Sequence, residues 1–320
     1  MTHRLGFGCA NLYELPARRD RRALLETAYD LGIRHFDVAP MYGLGLAEPE
    51  LADFLTRHDD AIVATKFGIR LTALGRVAGL VQRPIRLLLQ ASSATQSRVK
   101  VSGTGPDSGA VGQLLYSPKD YSVDNAECAL ASSLRALRRE RIDYFFLHEP
   151  AGATLKHAPC LADYLDLQIQ RGRIGRWGPA GDLSKGYTEI SELTQRASAV
   201  QYPYDLIVGH AGPVPDSERS TITFGFVSRA LGHVKELLGR RPAFRGECSD
   251  ALGADLASNT VLLNLLVRDA ISHNVDGTVL VSSTNPDRLA MVCAAAKTPL
   301  RNEVAVAAKI RRACLDERAC

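Results

Sequence analysis

Three short apolar runs in the chain each end in an ionisable residue. Residues 31–36 lead into Asp37, with Tyr42 following in a Pro/Gly-marked loop, while residues 61–65 lead into Lys66 and residues 144–147 into His148. In a parallel β/α barrel, the residues at the carboxyl ends of the strands all face one mouth. We therefore expect a carboxylate, a phenol, an ammonium group and an imidazole to lie close together there.

These four groups suit proton transfer to a carbonyl oxygen. A tyrosine has a pKa near ~10, and a neighbouring ammonium group favours its phenolate and lowers that value. A buried lysine needs a carboxylate partner to keep its charge, and Asp37 can provide one for Lys66. Tyr42 would then give or take the proton, while His148 orients the carbonyl oxygen or passes a proton.

The set contains no nucleophile and no group of metal ligands. A site that protonates a carbonyl oxygen without attacking the carbon implies an external reductant, and hydride from a nicotinamide is the obvious one. The residues therefore predict hydride transfer to an aldehyde or ketone, or the reverse reaction from an alcohol, with no bound metal.

Apolar periodicity along the chain predicts alternating strands and helices. The order strand, helix, strand, helix, strand up to Lys66 implies a parallel sheet with right-handed crossovers. About eight such units follow one another without a linker. We predict an α/β fold, a (β/α)8 TIM barrel, in a single domain over residues 1–320.

Residues 68–121 interrupt this alternation. Residues 91–112 are rich in Ser, Gly and Thr and show no periodicity, and a loop of this length in a compact domain is usually functional or mobile. We expect a long, partly disordered insertion after the third strand, near the mouth of the barrel. Residues 240–253 are predicted to be irregular.

Composition narrows the class of protein. The chain has 320 residues, 46% hydrophobic and 23% charged, which is ordinary for a soluble globular protein. Its net charge is +4, and the arginines at 18–22 and 138–141 alternate with apolar residues at helical spacing, which indicates solvated helix faces and no nucleic-acid partner.

Cysteine usage and hydropathy indicate the compartment. The seven cysteines are scattered without a CxxC pair, which argues against a disulfide framework and favours a reducing environment. No apolar signal segment follows the first residues, and no apolar run is long enough to span a bilayer. We expect a cytoplasmic protein with a small-molecule carbonyl or alcohol substrate and no membrane partner. No pattern indicates its oligomeric state.

The motifs around the four residues resemble the signatures of the aldo-keto reductases. They are Asp37-x-Ala39-x-x-Tyr42-Gly43, Thr65-Lys66 after an apolar strand, and Ile142-Asp143-Tyr144-x-x-Leu147-His148. The run 172–178 is also similar to a strand of that family, and the similarity extends over residues 5 to about 296, with 68–121 as the main gap. The resemblance implies a (β/α)8 barrel that reduces aldehydes and ketones with NADPH and has no Rossmann domain.

The resemblance also implies roles for individual residues. Asp37, Tyr42, Lys66 and His148 would form the catalytic tetrad, with Tyr42 as the acid. Gln201 matches a glutamine that contacts the nicotinamide carboxamide. The residues that lie where the family binds the pyrophosphate and the 2′-phosphate are Ser283, Asn285 and Arg288. The implied cofactor is NADP(H), with NAD(H) as the alternative, because the preference rests mainly on Arg288.

Several positions depart from the family pattern. Ala180 and Gly181 stand where the family has a Ser-Asn pair that holds the carboxamide. On the adenine side, a Glu-Asn pair and a lysine are replaced by Met291, Val292 and Ser282. These departures leave open a cofactor-binding regulatory or scaffold barrel with little turnover. A lyase or dehydratase that works without hydride is a further alternative.

Overall fold

A computed structural model describes residues 4–80, 112, 114–150, 155, 158–182, 191–210 and 219–319. Eight parallel strands close into a barrel, because the strand order β5-β4-β3-β2-β1-β9-β8-β6 is joined into a ring by a pairing of β5 with β6. The short β7 pairs antiparallel with β6 outside that ring. The strands are β1 (Leu5–Gly8), β2 (His35–Asp37), β3 (Ile62–Phe67), β4 (Ile142–His148), β5 (Ile174–Ala180), β6 (Ala199–Asp205), β7 (Gly209–His210), β8 (Ser220–Phe224) and β9 (Thr278–Val281).

Helices follow most of the strands and cover the outside of the barrel. Two short 3-10 helices, Cys9–Glu14 and Tyr42–Leu44, follow β1 and β2. The α-helices are α1 (Arg18–Asp30), α2 (Ala47–Leu55), α3 (Val123–Leu137), α4 (Ala158–Gln170), α5 (Ser191–Arg196), α6 (Phe226–Arg240), α7 (Pro242–Leu252), α8 (Asn259–His273), α9 (Pro286–Lys297) and α10 (Glu303–Ala319). The predicted (β/α)8 barrel is confirmed.

Two local predictions about α7 and α1 are wrong. Residues 242–252, expected to be irregular, form α7, which starts at Pro242 and ends before Gly253 in the left-handed region at φ 72°. Both are standard helix-boundary residues, so the signal was present in the sequence. The arginines of α1 were expected to face solvent, but Arg21 is buried. It fills a gap between α1 and α2, where Glu50 pairs with it.

Strand register sets the depth of each side chain in the barrel. Along β2, β3 and β4, Asp37 is level with Ala64, and Lys66 with Phe146. Small and large apolar side chains from six strands pack together in the barrel: Ala64, Phe146, Ala180, Ala199, Ile222 and Leu280. This packed layer forms the floor on which the polar residues at the carboxyl ends of the strands stand.

The insertion between β3 and α3 is described only at its two ends. Residues 73–80 are helical, while residues 81–111 and 113 lie outside the described part of the chain. A bridge between Leu71 and Tyr116 joins the two ends, and their side chains pack against Met41 and Leu44. These ends therefore contact the loop that carries Tyr42, while the expected disorder falls on residues outside the description. In the described ranges, no helix is both long and apolar enough to cross a membrane.

Candidate active site

A buried ion pair lies at the carboxyl ends of β2 and β3. The Lys66 ammonium donates to Asp37 Oδ1 at 2.5 Å and to the Val38 carbonyl at 3.1 Å, and the two side chains are only 3% and 5% exposed. Burial alone lowers the pKa of Lys66, but the nearby Asp37 and Tyr42 outweigh it and raise the pKa above the ordinary value. Lys66 therefore keeps its charge.

The loop after β2 brings Tyr42 to this pair. The Tyr42 amide donates to the Ala39 carbonyl at 3.0 Å, and Gly43 then turns the chain at a positive φ of 59°. A Cβ on Gly43 would lie 2.5 Å from the Tyr13 ring, so only glycine fits there. The Lys66 ammonium lies 5.1 Å from the centre of the half-buried Tyr42 ring.

The acidity of Tyr42 is set by opposing effects. Burial raises the pKa of its hydroxyl, Lys66 lowers it, and Asp37 raises it again. The net pKa lies above the ordinary value, so the predicted net lowering is wrong although Lys66 acts in the expected direction. The phenol therefore keeps its proton at neutral pH, in the state that a proton donor needs.

His148 at the end of β4 faces Tyr42. The two rings meet edge to face with their centres 5.9 Å apart, and the His148 carbonyl accepts a hydrogen bond from Tyr121 at 2.5 Å. Burial, followed by the charges of Lys66 and Lys119, holds the pKa of His148 well below its usual range. The imidazole is therefore neutral, and the structure brings all four predicted residues to one mouth.

Gln201 also reaches this cluster. Its side-chain amide donates to the second Asp37 oxygen at 2.9 Å, and the residue is buried. The carboxylate is thus held from two sides, by Lys66 and by Gln201. In this arrangement Gln201 orients Asp37. The predicted role of Gln201 was contact with a cofactor and did not include this hydrogen bond.

The remaining predicted residues lie at the start of α9. Asn285 caps this helix by accepting the Arg288 amide at 3.1 Å, and the Ser283 hydroxyl accepts the Asn285 amide at 3.1 Å. The Arg288 side chain is exposed, and within the described ranges no carboxylate pairs with it. A capped helix start beside a free guanidinium group is a suitable setting for phosphate.

Two supporting networks were missed by the sequence reasoning. Behind Lys66, the buried Glu48 carboxylate accepts the Thr65 hydroxyl at 2.7 Å, and burial raises the pKa of Glu48. Beside the Tyr42 loop, Arg21 donates to Glu50 at 3.0 Å. Acidic residues at 48 and 50 in the first turn of a helix look solvated in sequence, so no pattern revealed their burial.

Tyr13 connects the second network to the loop that carries Tyr42. Its hydroxyl donates to the Leu46 carbonyl at 2.9 Å and to Glu50 at 3.1 Å, while its ring lies against Gly43. The pair Arg21–Glu50 therefore supports the backbone that presents Tyr42, through one aromatic ring.

The family model of the aldo/keto reductases matches residues 4–211, well over half of the chain. The chain belongs to the aldo/keto reductase family. A D-threo-aldose 1-dehydrogenase from Pseudomonas sp is 32% identical over 151 residues, which cover 46% of this chain and 40% of that protein. The chain thus spans less than half the length of this curated relative in the matched region.

Solved structures share the fold over nearly the whole chain. The glycerol dehydrogenase AKR11B4 from Gluconobacter oxydans superposes with a TM-score of 0.68 at 18% identity, over 96% of this chain and 90% of that one. A variant of a protein named Gox0644, in complex with NADPH, has a TM-score of 0.60 at 13% identity over 96% and 89% of the two chains. At such identities the likeness concerns the fold.

Proposed function

We propose that this chain is a nicotinamide-dependent oxidoreductase that interconverts an aldehyde or ketone and the corresponding alcohol. One observation carries the proposal. The buried Lys66–Asp37 pair stands next to the Tyr42 phenol and a neutral His148 at the open end of the barrel. Membership of the aldo/keto reductase family and the dehydrogenase relative support it.

The residues at the start of α9 fit the phosphate groups of a dinucleotide. The Arg288 guanidinium and the Ser283 hydroxyl offer a positive charge and a polar group at the same helix end, where the helix dipole also favours an anion. Gln201, which donates to Asp37, is the candidate carboxamide contact. We assign NADP(H) as the cofactor. NAD(H) is the alternative, because the choice between the two cofactors depends on Arg288.

The proposed proton transfer runs through Tyr42. A bound nicotinamide supplies hydride in the reduction and takes it up in the oxidation. Tyr42 donates its proton to the carbonyl oxygen, and the Lys66 ammonium stabilises the phenolate that remains. The neutral His148 holds the same oxygen by a hydrogen bond, and Asp37 keeps Lys66 in place.

Cofactor titration tests this function directly. Adding the protein to NADPH should shift the nicotinamide fluorescence, and a panel of aldehydes should then oxidise the bound cofactor in a single turnover. Binding without turnover by any aldehyde would favour the regulatory or scaffold barrel. A failure to bind NADPH or NADH at high micromolar concentration would contradict both readings, and activity without nicotinamide would favour a lyase or dehydratase.

A further inference from the structure

Glu149, the residue after His148, has an unusual backbone. Its φ of 51° lies in the left-handed region, which is strained for a non-glycine residue. The Glu149 amide donates to the Ala180 carbonyl at 2.6 Å, and this bond fixes the turn at the end of β4. Strain of this kind is typical of positions where the surroundings force a side chain into a working orientation.

The neighbouring strand end is shaped around this side chain. Gly181 follows β5 at φ 146°, and a Cβ there would lie 3.0 Å from the Glu149 Cα and 3.1 Å from its Cγ. The Glu149 side chain therefore occupies the space that a side chain at position 181 would need. The ends of two strands cooperate to hold this carboxylate at the mouth.

Lys119 compensates the charge of the carboxylate without covering it. Its ammonium group lies 3.3 Å from Glu149 Oε2 and 3.2 Å from the Glu149 carbonyl oxygen. The Glu149 side chain remains 44% exposed, whereas that of Lys119 is 19% exposed. The pair therefore presents free carboxylate lone pairs and a net charge of zero at the rim.

The pair is also close to the reacting groups. Glu149 follows His148 directly in the chain, and its charge contributes to the raised pKa of Tyr42. A substrate whose carbonyl oxygen lies between Tyr42 and His148 would have its next atoms near Glu149. A carboxylate accepts hydrogen bonds from hydroxyl groups, and two vicinal hydroxyls can share its two oxygens.

We propose that Glu149, positioned by Gly181 and Lys119, is a specificity-determining residue that binds hydroxyl groups of the substrate next to its carbonyl carbon. The substrate class that this subsite fits is a neutral polyhydroxylated aldehyde or its alcohol, as in aldoses. An anionic substrate gains nothing from an already neutralised lysine, and an apolar one would leave the carboxylate desolvated. The inference rests on the proposed function and extends it to the substrate.

Two aldehydes of equal carbon number test the subsite. D-glyceraldehyde carries vicinal hydroxyls on the two carbons that follow its carbonyl carbon, and propanal carries none. We expect the ratio of their kcat/KM values to fall about tenfold in Glu149→Gln, because a hydrogen bond to a charged group is weakened. Using a ratio cancels any common effect of the lost charge on Tyr42. The matched control is Glu127→Gln, which removes the same charge from an exposed position on α3 and should leave the ratio unchanged.

The outcomes separate the subsite from the proposed function. An unchanged ratio in Glu149→Gln would overturn the subsite. If the wild type binds cofactor but reduces neither these two aldehydes nor any other aldehyde of the panel, the proposed function fails, and calorimetric titration of erythritol against 1-butanol then decides the subsite alone. Erythritol should bind more tightly than 1-butanol to the wild type and lose about tenfold in affinity in Glu149→Gln. Equal binding of the two alcohols by the wild type would overturn the inference.

Discussion

Two buried ion pairs lie near the loop that carries Tyr42, and only one of them belongs to the candidate active site. Lys66–Asp37 lies inside the mouth with side chains 3% and 5% exposed. Arg21–Glu50 lies outside the barrel wall, between α1 and α2, with side chains 2% and 0% exposed. Burial and charge are nearly the same in both pairs, so neither property distinguishes a catalytic pair from a structural one.

What distinguishes them is the set of bonds that each cation and the phenol beside it make. Nη1 of Arg21 donates to the carbonyls of Leu15 and Pro16, at 2.7 Å each, so this nitrogen holds backbone in place. Arg21 also lies over a phenol ring, 4.5 Å from the centre of Tyr13, but the Tyr13 hydroxyl donates to the Leu46 carbonyl and to Glu50. Lys66 lies 5.1 Å from the centre of the Tyr42 ring, and its charge lowers the pKa of that phenol against the effect of burial. The first pair fixes the shape of the loop, and the second changes the chemistry of Tyr42.

The largest effect is expected from removing the hydroxyl of Tyr42, the phenol beside Lys66. Tyr42→Phe keeps the ring but loses the proton donor, so we expect kcat to fall roughly 10²–10⁴-fold while cofactor affinity is retained. Steady-state kinetics and nicotinamide fluorescence measure the two quantities. Tyr29→Phe, which deletes a hydroxyl on the outside of α1, is the control and should keep full activity. Unchanged turnover in Tyr42→Phe would mean that another group supplies the proton.

The structural pair should show the opposite behaviour. Glu50→Gln leaves the Arg21 guanidinium buried without its carboxylate, which we expect to reduce the free energy of unfolding by about 3–5 kcal/mol. Chemical denaturation measures the change, and activity at a temperature where the variant is folded should fall far less than in Tyr42→Phe.

The control for this variant is an ion pair of lower burial. Glu26 pairs with Arg57 and His58 at the surface of α1, so Glu26→Gln should cost less than about 1 kcal/mol. Equal destabilisation by the two substitutions would show that Arg21 finds other partners when Glu50 is replaced. A loss of activity in folded Glu50→Gln as large as that in Tyr42→Phe would remove the distinction between the two pairs.

The pH dependence of the two reaction directions sharpens the role of Lys66. Because burial raises the pKa of Tyr42 and Lys66 only partly opposes this, the phenol is protonated at neutral pH and becomes phenolate only well above it. Reduction needs the phenol and should be nearly constant from about pH 6 to about pH 9, whereas oxidation needs the phenolate and should rise over the same range. A reduction rate that falls between about pH 6 and pH 7 would contradict this role of Tyr42, and it would require an imidazole donor of ordinary pKa, which the low pKa of His148 does not provide.

The candidate active site was predictable because three of its residues each end an apolar run. Asp37, Lys66 and His148 were found in this way. The fold followed from the same periodicity, since strands and helices alternate regularly on both sides of the insertion.

Other features depend on information that a linear pattern does not contain. The Arg21–Glu50 pair joins the faces of two helices, and packing sets how these helices are rotated relative to each other. The sequence does not contain this rotation, so the charged residues of a helix were expected to face solvent. The left-handed turn at Glu149 is stabilised by a bond to another strand, and its residue type gives no sign of it. Gln201 was recognised, but its contact with Asp37 depends on barrel closure between β5 and β6.

The smallest expected effect concerns Arg288, an exposed charge that contrasts with both buried pairs. Its guanidinium is predicted to contact the 2′-phosphate that distinguishes NADPH from NADH, so Arg288→Leu should raise KM for NADPH about tenfold and leave that for NADH nearly unchanged. Steady-state kinetics with both cofactors measure the two values. Because Arg288 has no carboxylate partner in the described ranges, its removal leaves no buried charge behind, and thermal stability should hardly change.

Arg301 is the matched control for this substitution. It is also exposed but follows the opposite end of α9, so Arg301→Leu should leave both KM values unchanged. A parallel rise for NADPH and NADH in Arg288→Leu would place the guanidinium on a phosphate that both cofactors share. The NADP(H) assignment would then lose its support, while the proton-transfer role of Tyr42 and Lys66 would stand, because those groups act at the other end of the cofactor.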